Sequence, residues 1–115
     1  MSVFHVYHNP QCSKSRCAID FLREKNCAVR IREYLKDPLT KEELSDILAQ
    51  LGISAHELVR KNEAVFKEHF KGKTLNNDQW IDAMIQFPKL IERPIVVKDG
   101  KAVVARPTDN ILTLI

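Results

Sequence analysis

The chain has 115 residues, 44% of them hydrophobic, with 18 Lys and Arg against 15 Asp and Glu for a net charge of +3. That length allows one ordinary core and excludes two independent ones, so a single domain over residues 1–115 is expected. The charge is spread without a block of one sign, and no window approaches the roughly 18 apolar residues of a membrane span. Neither a nucleic-acid arm nor a membrane anchor is expected. Met1-Ser2-Val3-Phe4-His5 also lacks the charged segment and long apolar run of a secretory leader. A soluble, cytoplasmic monomer is the expectation.

Val3 to Tyr7 reads as a short central strand, apolar on both faces. Asn9-Pro10 ends it, and a helix follows from about Ser13 to Lys25, with Ala18, Ile19, Phe21 and Leu22 on its apolar side. Cys12 therefore stands at that helix's N-terminal end. Val29 to Tyr34 alternates Val29 and Ile31 with Arg30 and Arg32, which predicts a second strand near a sheet edge, parallel to the first. Asp37-Pro38 breaks the chain. Thr40-Lys41-Glu42-Glu43 is a capping-box pattern opening a helix to Leu51, with Gly52 as its left-handed stop. A short helix is predicted from Ser54 to near Arg60, and another over Glu63 to Phe70. One more, capped by Asn77 or Asp78, carries Trp80, Ile81, Met84 and Ile85 inward until Phe87-Pro88.

Sheet returns at Arg93 to Lys98, and Asp99-Gly100 joins it to Lys101-Ala102-Val103-Val104-Ala105 as an antiparallel hairpin, because both turn residues tolerate positive φ. Pro107-Thr108-Asp109 opens a terminal helix, with Ile111, Leu112 and Ile115 as candidates for docking on the sheet. The fold class is thus α/β: a β-α-β opening, a helical insertion over about 38–90, a β-hairpin and a C-terminal helix.

The chemistry centres on Tyr7-His8-Asn9-Pro10-Gln11-Cys12-Ser13-Lys14-Ser15-Arg16. A free thiol with a pKa near ~8.5 is mostly protonated at neutral pH. Here a helix N-terminus, the Ser15 hydroxyl, Lys14, Arg16 and His8 can each supply a donor or positive charge, so Cys12 is the candidate nucleophile. Cys17, inside the helix near its apolar side, and Cys27, just past it, fit structural thiols. A phosphatase-type loop would need arginine at position 18, which is Ala18. A dithiol centre would need cysteine at position 15, which is Ser15. His5 and His8 differ by an odd number along a strand and should diverge, so no metal site is expected. Arg60, Arg93 and Arg106 are candidate oxyanion ligands, since guanidinium binds tetrahedral anions through paired N–H groups. Arg93-Pro94 is also a candidate cis peptide.

In order along the chain, His8-Asn9-Pro10-Gln11-Cys12-Ser13-Lys14-Ser15-Arg16, Gly52-Ile53-Ser54 with Leu58-Val59-Arg60-Lys61-Asn62, Asp82 to Met84, and Ile91-Glu92-Arg93-Pro94-Ile95-Val96-Val97 with Ala105-Arg106-Pro107 resemble the glutaredoxin-coupled arsenate reductases, the ArsC family of the thioredoxin-like fold. The resemblance implies a mixed four-stranded sheet, Cys12 as the catalytic thiol, and His8, Ser15 and Arg16 as groups that lower its pKa. It implies that Arg60, Arg93 and Arg106 converge on the oxyanion, with a cis peptide at Arg93-Pro94. Arsenate would be substrate, glutathione a co-substrate and glutaredoxin a partner, with no bound cofactor. Two other readings belong to the same fold. An Spx-type regulator binding RNA polymerase would want its switch cysteine where Ser15 stands, and a glutathione-dependent thiol oxidoreductase of another substrate would not need the three arginines.

Overall fold

A computed structural model describes residues 3–115. The first strand, β1, is Val3–Tyr7 and buries Phe4 and Val6, whose alternation puts them on one face. His5, at the opposite parity, is exposed, so the expected burial on both faces fails where the sequence supplies an imidazole. Helix α1, Ser13–Glu24, buries Ser15, Ala18, Ile19 and Leu22 as one stripe. Cys17 falls outside that stripe and is exposed, whereas Cys27 is half-buried against the core. Strand β2, Ala28–Arg32, pairs in parallel with β1 from Val3 opposite Ala28 to Tyr7 opposite Arg32.

Strand β3, Ile95–Lys98, runs antiparallel to β1 and to β4, Lys101–Val104. Asp99 and Gly100 join them at φ of 50° and 78°, the mirror-image turn that matches strand twist. The sheet order is β2-β1-β3-β4. β2 is thus an edge strand as expected, but the predicted inward set holds only in part. Val29 reaches the core while Ile31 lies outside it and is 42% exposed.

The terminal segment Thr108–Leu114 is a 3₁₀ helix rather than an α-helix. Its three-residue turn places 108, 111 and 114 on one face and 112 and 115 elsewhere. Accordingly Ile111 is fully buried and Leu114 packs at the margin, whereas Leu112 and Ile115 are 51% and 56% exposed. Only one of the three expected docking residues docks. The core beneath this segment comprises Phe4 and Val6 of β1, Ala18, Ile19 and Leu22 of α1, Val96 of β3, Ala105 and Ile111.

The chain divides into two compact units, the one just described and residues 38–92. In the second, Thr40 and Glu43 close the expected capping box on α2, Lys41–Leu51, and Gly52 ends it at φ 72°. The segment near Ser54 is one 3₁₀ turn, Ala55–Leu58, and α3 is only Ala64–His69. Helix α4, Asn77–Gln86, is capped by Asn76, one residue before the expected cap, because the Asn76 side chain accepts from Gln79 N–H at 2.8 Å while its own N–H donates to Gln79 at 2.9 Å. Asn77 is left to accept the Ala55 N–H at 2.8 Å. Trp80, Ile81 and Met84 are buried as expected, with Ala83 in the place foreseen for Ile85.

Leu22 is fully buried at the centre of the sheet core. Leu22→Ala is expected to cost about 2–5 kcal/mol, while Ile115→Ala, on an exposed side chain, stays within about 0.5 kcal/mol. Urea unfolding of both variants checks the contrast.

Candidate active site

The β1-α1 connection is held at several points before it reaches the cysteine. His8 N–H donates to Arg32 O at 2.8 Å, which extends the β1-β2 pairing by one residue. Asn9 then makes an Asx turn, its Oδ1 accepting Gln11 N–H at 3.0 Å, and its carbonyl accepts Cys12 N–H at 2.9 Å. Ser15 is fully buried, and its hydroxyl accepts Asn9 N–H at 3.4 Å. The loop and the first helical turn are thereby tied together, and Cys12 becomes the N-cap of α1 with extended backbone, φ −99° and ψ 119°.

That position decides the sulfur's acidity. Burial, the largest single influence, pushes the Cys12 thiol up. Against it act the backbone N–H groups of Ser15 and Lys14 and then the Arg93 side chain, by hydrogen bond and by charge, and together they bring the thiol down to about 7. Arg106 adds a contact of its own, its Nη2 donating to Cys12 Sγ at 3.4 Å. The part played by Ser15 differs from the expected one: its backbone amide acts on the sulfur while its hydroxyl serves the loop.

Sheet register explains how residues so distant in sequence meet. Tyr7 stands opposite Ile95, and Ile95 opposite Val104. The end of β1, the beginning of β3 and the end of β4 are therefore at one end of the sheet, and the flanking residues Cys12, Arg93 and Arg106 emerge together. Arg106 is then fixed from behind. Its Nε donates to the Arg93 carbonyl, and Ala105 N–H donates to Pro94 O at 2.9 Å. Asn110 Nδ2 donates to Val104 O at 3.0 Å and to Arg106 O at 3.2 Å. Both Arg93-Pro94, as expected, and Arg106-Pro107 are cis. Asn9 and Asn110 escaped the sequence reading as site residues; Asn9-Pro10 signalled only a turn, and nothing local marks Asn110.

His8 is buried beside the loop, and burial holds its imidazole below the usual histidine range; Glu33 opposes this and Arg16 reinforces it. At neutral pH the ring is accordingly neutral. Arg16 is exposed, and its charge acts on the His8 ring, helping to hold it neutral. Arg60 belongs to the 38–92 unit, where it faces Glu63 at 3.7 Å and Glu92 at 3.8 Å. Among the described residues, no three His, Cys, Asp or Glu side chains cluster as metal ligands, and no helix is long and apolar enough to cross a membrane.

A mixed four-stranded sheet whose first strand-to-helix turn carries one activated thiol defines a protein of the thioredoxin-like fold. Within that fold the chain belongs to the ArsC family, whose model matches residues 7–114. An arsenate reductase of Neisseria meningitidis serogroup A is 41% identical over 113 residues, spanning 96% of this chain and 97% of that protein. An Escherichia coli protein named "Uncharacterized protein YfgD" is also 41% identical, over 112 residues, 96% of this chain and 94% of its own. The solved structure of an arsenate reductase from Vibrio cholerae superposes with a TM-score of 0.94 at 37% identity, covering 98% of each chain.

Because the thiol lies at about 7, the alkylation rate of Cys12 by iodoacetamide should rise through a midpoint near that pH. A midpoint at or above the ordinary thiol value, about 8.5, would contradict the pull of the N–H groups and arginines. Mass spectrometry resolving Cys12 from Cys17 and Cys27 provides the measurement.

Proposed function

We propose that the protein is an arsenate reductase that uses glutathione and glutaredoxin as its external reductants. The observation that carries the reading is the Arg106 guanidinium set 3.4 Å from Cys12 Sγ. A thiolate beside a fixed guanidinium is suited to an oxyanion whose central atom the sulfur attacks, and the relatives named arsenate reductase supply the identity of that atom.

In the proposed reaction, the Cys12 thiolate attacks pentavalent arsenic. A sulfur–arsenic bond forms, and one hydroxyl leaves as water after taking up a proton. Arg93 and Arg106 offset the oxyanion charge that water would otherwise solvate, and the N–H groups of Lys14 and Ser15 favour the thiolate before attack. Glutathione then displaces a second arsenic-bound hydroxyl as water. Glutaredoxin thiolate attacks the glutathione sulfur; that sulfur–arsenic bond breaks, its electron pair reduces arsenic to the trivalent state, and a mixed disulfide leaves. Water finally releases arsenite and regenerates Cys12. No second enzyme thiol takes part, which suits serine at position 15 and a reducing compartment such as the cytoplasm.

In this reading His8 acts as a neutral, buried neighbour of the loop, and Arg16 through its effect on that ring. Arg60 enters as a third oxyanion ligand on the strength of the family resemblance alone.

Arsenate-dependent NADPH oxidation, coupled through glutathione reductase, glutathione and glutaredoxin, should fall to background in Cys12→Ser and keep most of its rate in Cys17→Ser and Cys27→Ser. Equal loss in all three would reject a one-thiol mechanism, and undiminished turnover without glutathione and glutaredoxin would reject the proposed reductants. Arg60→Ala should raise KM for arsenate about tenfold or more, the worth of one charge-assisted contact; an unchanged KM would remove Arg60 from the site.

A further inference from the structure

A cavity of about 310 Å³ lies within the 38–92 unit, bounded by α3, the 71–75 loop and α4. Three aromatic rings wall it. Phe66 and Trp80 are within 13° of parallel with centroids 6.1 Å apart, and Phe70 is tilted against Trp80 at 5.8 Å. Trp80 is buried, whereas Phe66 and Phe70 are only half-buried, so the cluster is left open on the cavity side. Lys61 and Lys73 also line the cavity, with Lys73 Nζ 5.9 Å from the centre of the Phe70 ring, and none of the lining residues is acidic. Among the described residues neither lysine has a carboxylate partner.

Those walls select a ligand by exclusion. A bare inorganic oxyanion would gain the two ammonium groups but leave the rings in contact with water. A neutral aromatic would cover the rings and bring nothing to the cations. A planar ring bearing one phosphate or carboxylate satisfies both, through apolar burial and stacking on one side and charge pairing on the other. The volume is at the small end of ligand pockets, roughly 300 Å³ and upward, which suits a single planar ring system with a short polar arm.

We propose that this cavity is a binding site for a small aromatic anion of that kind, a nucleoside monophosphate or an aromatic carboxylate, separate from the cysteine chemistry.

Trp80 is the only tryptophan in the sequence, so fluorescence excited at the red edge of indole absorption reports on this cavity alone. The full-length protein is titrated with adenosine 5′-monophosphate, hydrocinnamate, adenosine and inorganic phosphate. Saturable change with either aromatic anion at a Kd below about 1 mM, the weak end of specific recognition, is expected. Adenosine and phosphate should bind at least tenfold more weakly. The first two titrations distinguish a phosphate from a carboxylate ligand. In the Lys61→Gln/Lys73→Gln double variant the aromatic anion should weaken about tenfold or more, with the urea unfolding midpoint unchanged because both side chains are exposed. Phe70→Leu, which keeps an apolar side chain of similar bulk, should weaken adenosine monophosphate and hydrocinnamate without altering the salt dependence. No saturable change with either anion would overturn the proposal, as would equal binding of adenosine, or undiminished binding in the double variant.

Discussion

The structure of the site depends on one electrostatic arrangement: a sulfur held at the start of a helix, its thiol brought down to about 7, and faced by a guanidinium that the backbone fixes in place. A helix N-terminus alone offers partial charge and unpaired N–H groups, worth a fraction of a kilocalorie to about 1 kcal/mol near the surface. Here it works against burial, the largest influence on Cys12, and the Arg93 side chain adds to it. The thiol is brought down only because several modest contributions point the same way. Each of them requires Cys12 at the N-cap. The Asx turn at Asn9 and the buried Ser15 hydroxyl that ties Asn9 to α1 are what put it there.

The same arrangement explains why the sheet is mixed. A parallel β1-β2 pair carries the cysteine loop at its end, and antiparallel β3 and β4 return two later segments to that end. Arginine at position 93 enters β3 and arginine at position 106 leaves β4, so one hairpin delivers both. Asn110, bonded to the carbonyls of Val104 and Arg106, anchors the second of them from the terminal segment. Fixing a guanidinium beforehand lowers the entropy lost when an anion binds, so a solvent-held lysine would be a poor substitute. His8 contributes differently from a second cation. Buried and held below its usual range, it occupies the space under the loop as a neutral ring.

The elements with strong local signals were legible in the sequence. Asp99-Gly100 can hardly be anything but a hairpin turn, and the Thr40-Glu43 capping box fixes a helix start almost by itself. Cys12 stood out as the thiol in a polar loop before a helix. What the sequence reading mistook were features decided by competition between neighbours. Asn76 caps α4 through its reciprocal bonds with Gln79, while Asn77 accepts the Ala55 N–H. The terminal segment adopted a 3₁₀ turn, which moved Leu112 and Ile115 out of the core that an α-helical spacing suggested. The bond of Arg106 to sulfur spans 94 positions, and no local pattern reports it. The family likeness implied an oxyanion role for Arg106, not this bond. The division of labour within Ser15, amide to the sulfur and hydroxyl to the loop, depends on side-chain orientation that composition and spacing do not carry.

The central claim is that the Cys12 thiolate and the Arg93 and Arg106 guanidinium groups share one oxyanion. Protection of Cys12 from alkylation by arsenate, measured at fixed pH in the absence of any thiol reductant, tests it directly. The account predicts saturable protection in the wild-type protein, with the arsenate concentration for half-protection rising about tenfold or more in Arg106→Ala. Absence of protection, or the same half-protection concentration in the variant, would contradict it.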